Sequence, residues 1–450
     1  MSRPKPQERD FARSATLLSA GVGAAGLLTY VYFSLASHNL APTEYGELVV
    51  LWSAAFVSIS VLYRPVEQLL SRAIAQRQAR GAAIGPALRV AVTIQLGVAL
   101  ITAVAVLLLR EPLEDELLSG SESLYWILFV ALLGFGASFF ARGYLAGSQH
   151  FVLLGGLLVA ESSCRAAFAL AVALGIADGQ TAVALGIAAA PILSLLVVPL
   201  AFHRRSQRDG ATREHTGGEP DAQLTLGGGG GFAAAVLLVM LSEQTLLNGG
   251  PLLLRAFEGA AAAGFIFNVL MLARAPLVVF QGVATSLLPH LTRLRSRGEA
   301  GEEPFRLTIG GTLRAVAIFT SVVAIAVLVA GPELMQLAFG DAFSYDRAGL
   351  LIVTAGMGLY LSATTLSQAA IAQGRVRSAA ACWAACAIGF VIWCLVPALE
   401  EVRRIEIGFA GAAAALTALL WPLHLRPGEK LEPGSPEEVE ARLAAADEAG

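Results

Sequence analysis

The chain contains twelve apolar runs, each long enough to cross a lipid bilayer as a helix. A bilayer core about 30 Å thick needs roughly 20 apolar residues in helical form. The composition agrees, because 56% of the residues are hydrophobic and only 14% are charged. We therefore predict an all-α, polytopic membrane protein. The predicted spans are 12–37, 46–63, 86–109, 123–141, 151–175, 181–202, 230–254, 261–285, 309–331, 347–371, 378–398 and 405–424.

The positions of the basic residues test this count. Connections on the cytoplasmic side of a membrane carry an excess of Lys and Arg. One missed helix would therefore exchange the predicted sides of all later connections, and the excess would no longer fall on one side. With a cytoplasmic N-terminus, 24 of the 31 basic residues fall in cytoplasmic segments and 5 in external ones. Arg165 and Arg274 lie inside spans. This supports twelve spans with both termini cytoplasmic. The excess of arginine over lysine suggests a GC-rich bacterial genome, and we expect the protein in the bacterial cytoplasmic (inner) membrane.

The spans divide into two groups of six, separated by a polar segment. Residues 1–203 form a predicted N-terminal six-helix lobe and residues 230–424 a C-terminal one. Residues 204–229 read as a cytoplasmic, Gly-rich flexible linker, since such a composition cannot bury a core. Residues 425–450 form an acidic cytoplasmic tail.

The two groups share weak internal similarity. The stretch that enters a span at Gly46 and ends in Arg80-Gly81 matches one that enters at Gly264 and ends in Arg297-Gly298. LAGSQHF, from Leu145, likewise matches IAQGRVRS, from Ile371, each as a tight cytoplasmic turn. Two six-span copies must share their orientation, and transporters built from such parallel repeats place the substrate path between the lobes. Chance similarity among unrelated helices is the alternative.

Several kinds of chemistry find no support in the sequence. The four cysteines lie in apolar runs and read as small buried hydrophobes, so we expect no disulfide framework and no metal site. The net charge of −3, with basic residues dispersed in short clusters, gives no reason to expect nucleic acid. We expect no cofactor. The connections between spans are also short for an enzyme that must hold catalytic carboxylates and a sugar.

Two stretches resemble a known family. LASHNLAPTEYGELVVLWS, from Leu35, resembles the first external turn and second span of bacterial polysaccharide flippases, which carry a Leu-x-Pro-x-x-Tyr/Phe-Gly element. AAGFIFNVLMLARAPLVVFQGVATSLLPHLTRL, from Ala262, has counterparts in their eighth span. That family belongs to the superfamily of multidrug and toxin extrusion pumps and oligosaccharide-lipid exporters. The resemblance implies two six-helix lobes around a central cavity that opens alternately to each side.

The chain departs from its suggested superfamily in two respects. Lipid II flippases usually have fourteen spans, so twelve point away from them. Drug-extruding relatives often place an ion-coupling aspartate in the first span, and the first span here has no acidic residue within the bilayer.

Charged residues occur near the middle of predicted spans. Glu161 and Arg165, four residues apart, lie on one helical face and can pair, and the second lobe carries Glu243 and Arg274. Each isolated charge costs about 2.5 to 3.5 kcal/mol at a span centre, so we expect these to face a polar cavity. Arg165 and Arg274 would bind phosphate bidentately. Glu161 and Glu243 would pair with them or couple transport to an ion, a proton or sodium. The alternative is a neutralised pair that only fixes helix packing.

Further polar residues complete the predicted site. Arg64, Glu67, Arg72 and Arg142 lie at cytoplasmic helix ends and would form an entry vestibule, or would satisfy the charge rule and contact anionic lipids. Gly249, Gly250 and Pro251 would bend or end the seventh span and serve as a hinge. Five amides are candidate sugar contacts, with ordinary interhelical bonding as the alternative: Gln95, Gln244, Asn248, Asn268 and Gln281.

These features lead to one functional expectation and two alternatives. We expect an alternating-access flippase that carries a lipid-linked oligosaccharide of the polyprenyl-phosphate type to the outer leaflet for polysaccharide biosynthesis. Its partners would be that substrate, membrane lipids and other polysaccharide-assembly proteins. The first alternative is an ion-coupled multidrug exporter of amphipathic small molecules. The second is a polytopic glycosyltransferase or polymerase; we expect a transporter and not an enzyme.

Overall fold

Helices make up nearly all of the structure, a computed structural model that describes residues 6–79, 82–197, 199, 226–274, 291, 299–397 and 399–425. The described part contains helices and turns and no strand. The helices are α1 (Pro6–Asn39), α2 (Pro42–Leu62), α3 (Arg64–Ala79), α4 (Gly85–Leu108), α5 (Glu122–Gly147), α6 (Phe151–Ala173), α7 (Gly179–Ser194), α8 (Leu226–Glu258), α9 (Ala260–Arg274), α10 (Glu299–Phe339), α11 (Arg347–Ala372), α12 (Val376–Leu395) and α13 (Glu401–Leu425).

The helices confirm the predicted all-α membrane fold. In the described part of the chain, 10 helices are long and apolar enough to cross a membrane, with α2 and α3 counted as one span from Pro42 to Gln78. Two shorter apolar helices, α7 and α9, coincide with the sixth and eighth predicted spans. Each of the twelve predicted spans therefore overlaps a helix of the structure. Residues 198 and 200–202 of the sixth prediction and residues 275–285 of the eighth lie outside the described residues.

The chain divides into two compact units. The first comprises residues 1–221 and 258–264, and the second comprises residues 222–257 and 265–450. In the first unit, α1 packs along α6, α6 packs along α7, and α3 packs along α5. In the second unit, α11 packs along both α10 and α13. The predicted lobe boundaries remain a prediction, and the acidic tail lies outside the described residues.

The outward faces of α4 and α10 are apolar. Leu100 and Ile101 on α4 are exposed, as are Ile318 and Val329 on α10. Exposed apolar residues on helices of this length are consistent with contact with lipid acyl chains, because a bilayer core removes the free-energy cost of exposing apolar surface to water.

The Leu-x-Pro-x-x-Tyr-Gly element forms the start of α2. Pro42 occupies the first turn, where its missing N–H costs no hydrogen bond. The Glu44 carboxylate accepts a hydrogen bond from the Ala41 backbone N–H at 3.2 Å. Gly46 is required by packing, because a Cβ there would collide with the carbonyl group of Ala260. Gly264, the matching glycine in the predicted repeat, lies against Gly46 in the same unit.

The two turns matched as repeats have the same backbone geometry. Gln149, two residues before α6, has φ of 57°, and Gly374, two residues before α12, has φ of 78°. Each donates its backbone N–H to the carbonyl group three residues earlier. The backbone N–H of the next residue donates to the carbonyl group five residues before it, at 2.8 Å for His150 and 2.9 Å for Arg375. This is the Schellman helix end. The end of α6 at Gly175 has the same pattern, so this geometry does not distinguish an internal repeat from chance similarity, and the repeat stays a prediction.

Helix α10 extends beyond the predicted ninth span and contains a kink. The backbone of Ala330 is non-helical, with φ of −132° and ψ of 18°. Pro332 follows two residues later, and proline removes a hydrogen bond and clashes with the preceding turn. The predicted end of the span at residue 331 therefore coincides with the kink, and the helix continues to Phe339.

Helix α8 corrects two predictions. It begins at Leu226, so the five glycines that follow belong to a helix and not to the end of the predicted linker. It also continues past Pro251 to Glu258, so of the two predicted outcomes at Gly249-Gly250-Pro251, a bend or a helix end, the helix end is wrong. The physical reason is packing: a Cβ on Gly250 would lie 3.0 Å from Ile405 of α13. The glycines thus let α8 lie close to its neighbour, and a hinge role stays a prediction.

Candidate functional site

The strongest candidate site is a buried cluster of charges between α5 and α6. Glu161 is 4% exposed and sits ten residues into α6. Its Oε2 accepts hydrogen bonds from Arg142 Nη2 at 2.6 Å and from Ser138 Oγ at 3.1 Å, both on α5. Arg142 and Ser138 are four residues apart and so share one face of α5. A carboxylate held by a short charge-assisted bond and a hydroxyl group is well fixed in position.

Arg165 completes the cluster from the same helix as Glu161. It is 4% exposed, and its Nη1 lies 3.6 Å from Glu161 Oε1. Nη2 donates to Ser162 at 3.3 Å, and the guanidinium carbon lies 4.8 Å from the ring centroid of Trp52. Among the described residues, Nε and Nη1 find no hydrogen-bond acceptor. Arg165 is therefore held by a cation–π contact and a weak pair, with donors to spare.

Arg142 is placed differently from the prediction. We assigned it to a cytoplasmic vestibule, but its side chain is only 14% exposed and makes the shorter of the two ion pairs to Glu161. The expected pair within α6 is present but longer. The cause is helix packing: a Cβ on Gly143 or Gly147 would lie 2.7 Å from a backbone carbonyl of α3. The two glycines seat α5 against α3, and Arg142 then points toward α6 and not into the cytoplasm.

The other predicted vestibule residues lie near the surface. Arg64 and Arg72 are exposed, and Glu67 is half-buried. The charges of Arg142 and Arg64 both act on Glu67. Arg142 thus interacts with two carboxylates, the half-buried Glu67 and the buried Glu161.

Gln95 is the one sugar-contact candidate in the first unit. It is 8% exposed, and its Nε2 donates to the Gly136 carbonyl at 2.8 Å. Its Oε1 finds no hydrogen-bond donor among the described residues. One half of the amide therefore fixes α4 to α5, and the other half keeps an acceptor.

The candidates in the second unit form two separate groups. Tyr360 of α11 donates its hydroxyl proton to Glu243 Oε1 at 2.9 Å. Asn248 Nδ2 donates to Gln244 Oε1 at 2.8 Å, and Arg274 Nη1 donates to Asn248 Oδ1 at 3.4 Å. Glu243 and Arg274 therefore have different partners in these contacts, unlike Glu161 and Arg165.

Two further amide candidates remain. Asn268 is fully buried on α9. Gln281 lies outside the described residues.

The first cluster has the composition of an anion site. Two guanidinium groups, from Arg142 and Arg165, meet one carboxylate, Glu161, in a buried space. An anion with several acceptor oxygens could bond the unused donors of Arg165 and compete with Glu161 for Arg142. The second group, a tyrosine hydroxyl on a half-buried glutamate, is instead suited to binding a proton or a cation.

Sequence reasoning missed several of these contacts. Ser138, Trp52 and Tyr360 were not selected, because each is of a type common in packed helices. The only available signal was spacing: Ser138 and Arg142 are four apart on a span, as are Glu161 and Arg165.

Comparison with known proteins gives distant relatives. No family model matches the chain. It is 26% identical over 408 residues to the uncharacterized protein Rv3630 of Mycobacterium tuberculosis, covering 86% of this chain and 87% of the relative. The uncharacterized protein Mb3654 of Mycobacterium bovis matches to the same extent.

The solved structures similar to the chain are membrane transporters. A multidrug resistance MATE family transporter of the MOP superfamily matches in its inward-facing conformation with a TM-score of 0.64, at 12% identity over 94% of this chain and 96% of that one. A multidrug resistance MATE family transporter of the MOP superfamily in an outward-facing conformation matches with a TM-score of 0.60, at 13% identity over 96% of each chain. The Vibrio cholerae MATE transporter VcmN matches at 0.61, with 18% identity over 94% and 98%. The chain therefore has the fold of MATE family transporters and is a multi-pass membrane protein.

Proposed function

We propose that the chain is an alternating-access membrane transporter that flips a lipid-linked oligosaccharide of the polyprenyl-phosphate type to the outer leaflet of the bacterial cytoplasmic membrane. The observation that carries this proposal is the pair of arginines, the partly buried Arg142 and the buried Arg165, on the single carboxylate of Glu161. The substrate must take its phosphate groups through a medium that does not solvate them. A cluster with spare guanidinium donors at membrane depth meets that requirement.

The substrate phosphate would exchange with Glu161. A phosphate group offers several acceptor oxygens, and arginine binds such groups bidentately. Arg165 has unused donors at Nε and Nη1, so it binds first. Arg142 then divides its charge between the phosphate and Glu161. Glu161 would return to both arginines after release, so neither state leaves a buried cation without a counter-charge.

The amides supply the second requirement, contacts to sugar hydroxyls. Gln95 keeps a free acceptor, whereas Asn248 and Gln244 already bond each other. We therefore propose Gln95 as the first sugar contact. Arg274, bonded to Asn248, would serve a later position on the substrate's path.

The test is lipid flipping in reconstituted vesicles that contain a labelled polyprenyl-diphosphate oligosaccharide. Arg142→Gln and Arg165→Gln should each reduce the flipping rate at least tenfold, and Arg274→Gln should reduce it less. Arg306→Gln, at an exposed position on α10, is the matched control and should behave like the wild type. Unchanged flipping in both cluster variants would discard the phosphate role.

One observation favours a second function, ion-coupled export of amphipathic small molecules. Glu243 bonds Tyr360 with no arginine in that contact, so it could exchange a cation or proton. The solved structures that match include multidrug transporters. Efflux of cationic dyes from the same vesicles, abolished by Glu243→Gln and unaccompanied by lipid movement, would support this function over flipping.

A further inference from the structure

A second cluster of charges lies at the opposite end of the second unit's helices from the Schellman turn at Gly374. Two of its members, Asp346 and Arg403, line a cleft of about 480 Å³ formed mainly by residues before α11 and at the start of α13. The third member, Glu406, is buried and reaches the cleft lining through its pair with Arg403. The aromatic rings of Phe265 and Tyr345 form one wall, 5.0 Å between centroids and edge to face. Asp346, Glu400 and Arg403 are the charged lining residues of the cleft. By the distribution of basic residues, this end faces the external side.

Arg403 pairs with two acids, one on its own helix α13 and one at the start of α11. Its Nη2 lies 2.6 Å from Asp346 Oδ2, and its Nη1 lies 3.0 Å from Glu406 Oε2. Asp346 is the N-cap of α11, where it also accepts the backbone N–H groups of Ala348 and Gly349. Partial burial alone would raise the pKa of Asp346, but the bonds from Arg403 and Gly349 outweigh it and lower that pKa below its usual value. Asp346 is therefore firmly ionised.

Glu406 differs from Asp346 in its surroundings. Its side chain is 0% exposed, and Oε1 finds no hydrogen-bond donor among the described residues. A Cβ on Gly349 would lie 2.5 Å from that oxygen and would also collide with the Tyr345 ring. A buried carboxylate oxygen without a donor is costly as an anion, and a proton removes the cost.

We propose that Glu406 is a proton-binding carboxyl group that exchanges its proton with the external solution through this cleft. The transferred proton bonds to a lone pair of Oε1, and its source is water in the cleft. The cluster of Asp346, Arg403 and Glu406 then changes from a net charge of −1 to neutral. Arg403, no longer shared between two anions, is held by Asp346 alone.

The groups that face Glu406 favour a proton over a metal ion. Arg403 lies on its own helix, and Tyr345 and Asp346 come from the segment before α11. The next basic residue on α13, Arg404, is bound to the carbonyl groups of Cys394 and Val396 on α12 and to Glu401. A hard metal ion takes about six oxygen ligands, whereas the described side chains that reach this space are a carboxylate, a phenol and a cation.

Proton binding at Glu406 does not depend on the transported substrate. Its consequence for transport rests on the proposed function: an external proton on Glu406 would leave Arg403 to Asp346 alone, strengthen the tie between α13 and the N-cap of α11, and so link the pH gradient to the second unit's conformation.

The first experiment is an infrared pH titration of the purified full chain in detergent. We expect a carboxylic acid carbonyl band that titrates in the wild type, disappears in Glu406→Gln and remains in Asp346→Asn. Glu406→Gln preserves side-chain size and an acceptor for Arg403. An identical set of carboxylic acid bands in the wild type and Glu406→Gln would overturn the proposal.

A second measurement needs no variant. Dicyclohexylcarbodiimide modifies protonated carboxyl groups in apolar surroundings, and mass spectrometry locates the product. We expect labelling at Glu406 that falls as pH rises. Labelling at other carboxyl groups but never at Glu406 would overturn the proposal. Measuring the flipping rate against pH tests the link to transport separately. If Glu406 binds a proton but flipping is independent of pH in both the wild type and Glu406→Gln, the coupling role is removed. If the wild type does not flip the lipid at all, the proposed function is rejected instead.

Discussion

Neutralising Glu161 should destabilise the first unit, because two buried guanidinium groups would lose their counter-charge. Glu161→Gln is nearly isosteric and keeps an oxygen that can accept the bonds of Arg142 and Ser138, at 2.6 and 3.1 Å in the wild type. The change therefore removes the negative charge of Glu161 and leaves the side-chain shape almost the same. Removing one partner of a buried ion pair costs about 3 to 5 kcal/mol. At roughly 2 °C for each kcal/mol in a long chain, the apparent melting temperature should fall by about 6 °C or more.

The assay is thermal unfolding in mild detergent, with Ser163→Ala as an exposed control on the same helix. The double variant Arg142→Gln/Glu161→Gln should be more stable than the sum of the two single changes predicts, because it removes one of the excess cations. A melting temperature for Glu161→Gln within 1 °C of the control, or strict additivity of the two changes, would refute the view that the three side chains share one buried site.

Three other changes test separate parts of the structure by the same unfolding assay. Gln149→Gly should raise stability by about 1 kcal/mol, since only glycine adopts positive φ without steric cost; no gain would contradict the assigned helix end. Arg404→Met should cost about 2 kcal/mol or more, because buried carbonyl groups at the end of α12 lose a charged donor; wild-type stability would contradict that role. The contribution of Asp346, whose folded pKa is lowered, is complete above its unfolded pKa of 3.8 and is lost as pH falls through the lower folded value. Asp346→Asn should remove that acid-dependent loss, and an unchanged pH profile would contradict the pair with Arg403.

Sequence patterns predict the helices well because hydrophobicity over twenty residues is a local property. The spans and the turns at Gln149 and Gly374 follow from apolar length and from short polar interruptions. Prediction was weaker where one local pattern is compatible with two structures, as where glycines can either end a helix or let it pack closely against a neighbour. Gly249-Gly250-Pro251 reads as a helix end, but the helix continues because the glycines accommodate a neighbouring helix.

The site was predicted only in part, because partners across helices are not visible in local spacing. Glu161 and Arg165 were identified from their charge at mid-span. The stronger partner, Arg142, lies 19 residues away on another helix, and the partner of Glu243, Tyr360, is 117 residues away. Glu406 was overlooked for a related reason: it is the second residue of the twelfth predicted span and follows two arginines, which is typical of a solvated span end, whereas packing against Gly349 buries it completely.

Equilibrium binding of a polyprenyl diphosphate, compared with the same polyprenol lacking phosphate, tests the central claim most directly. The wild-type protein should bind the diphosphate at least tenfold more tightly, and Arg165→Gln or Arg142→Gln should bring the two affinities close together. Equal affinity of the wild type for both lipids would contradict the claim that the cluster around Glu161 recognises phosphate.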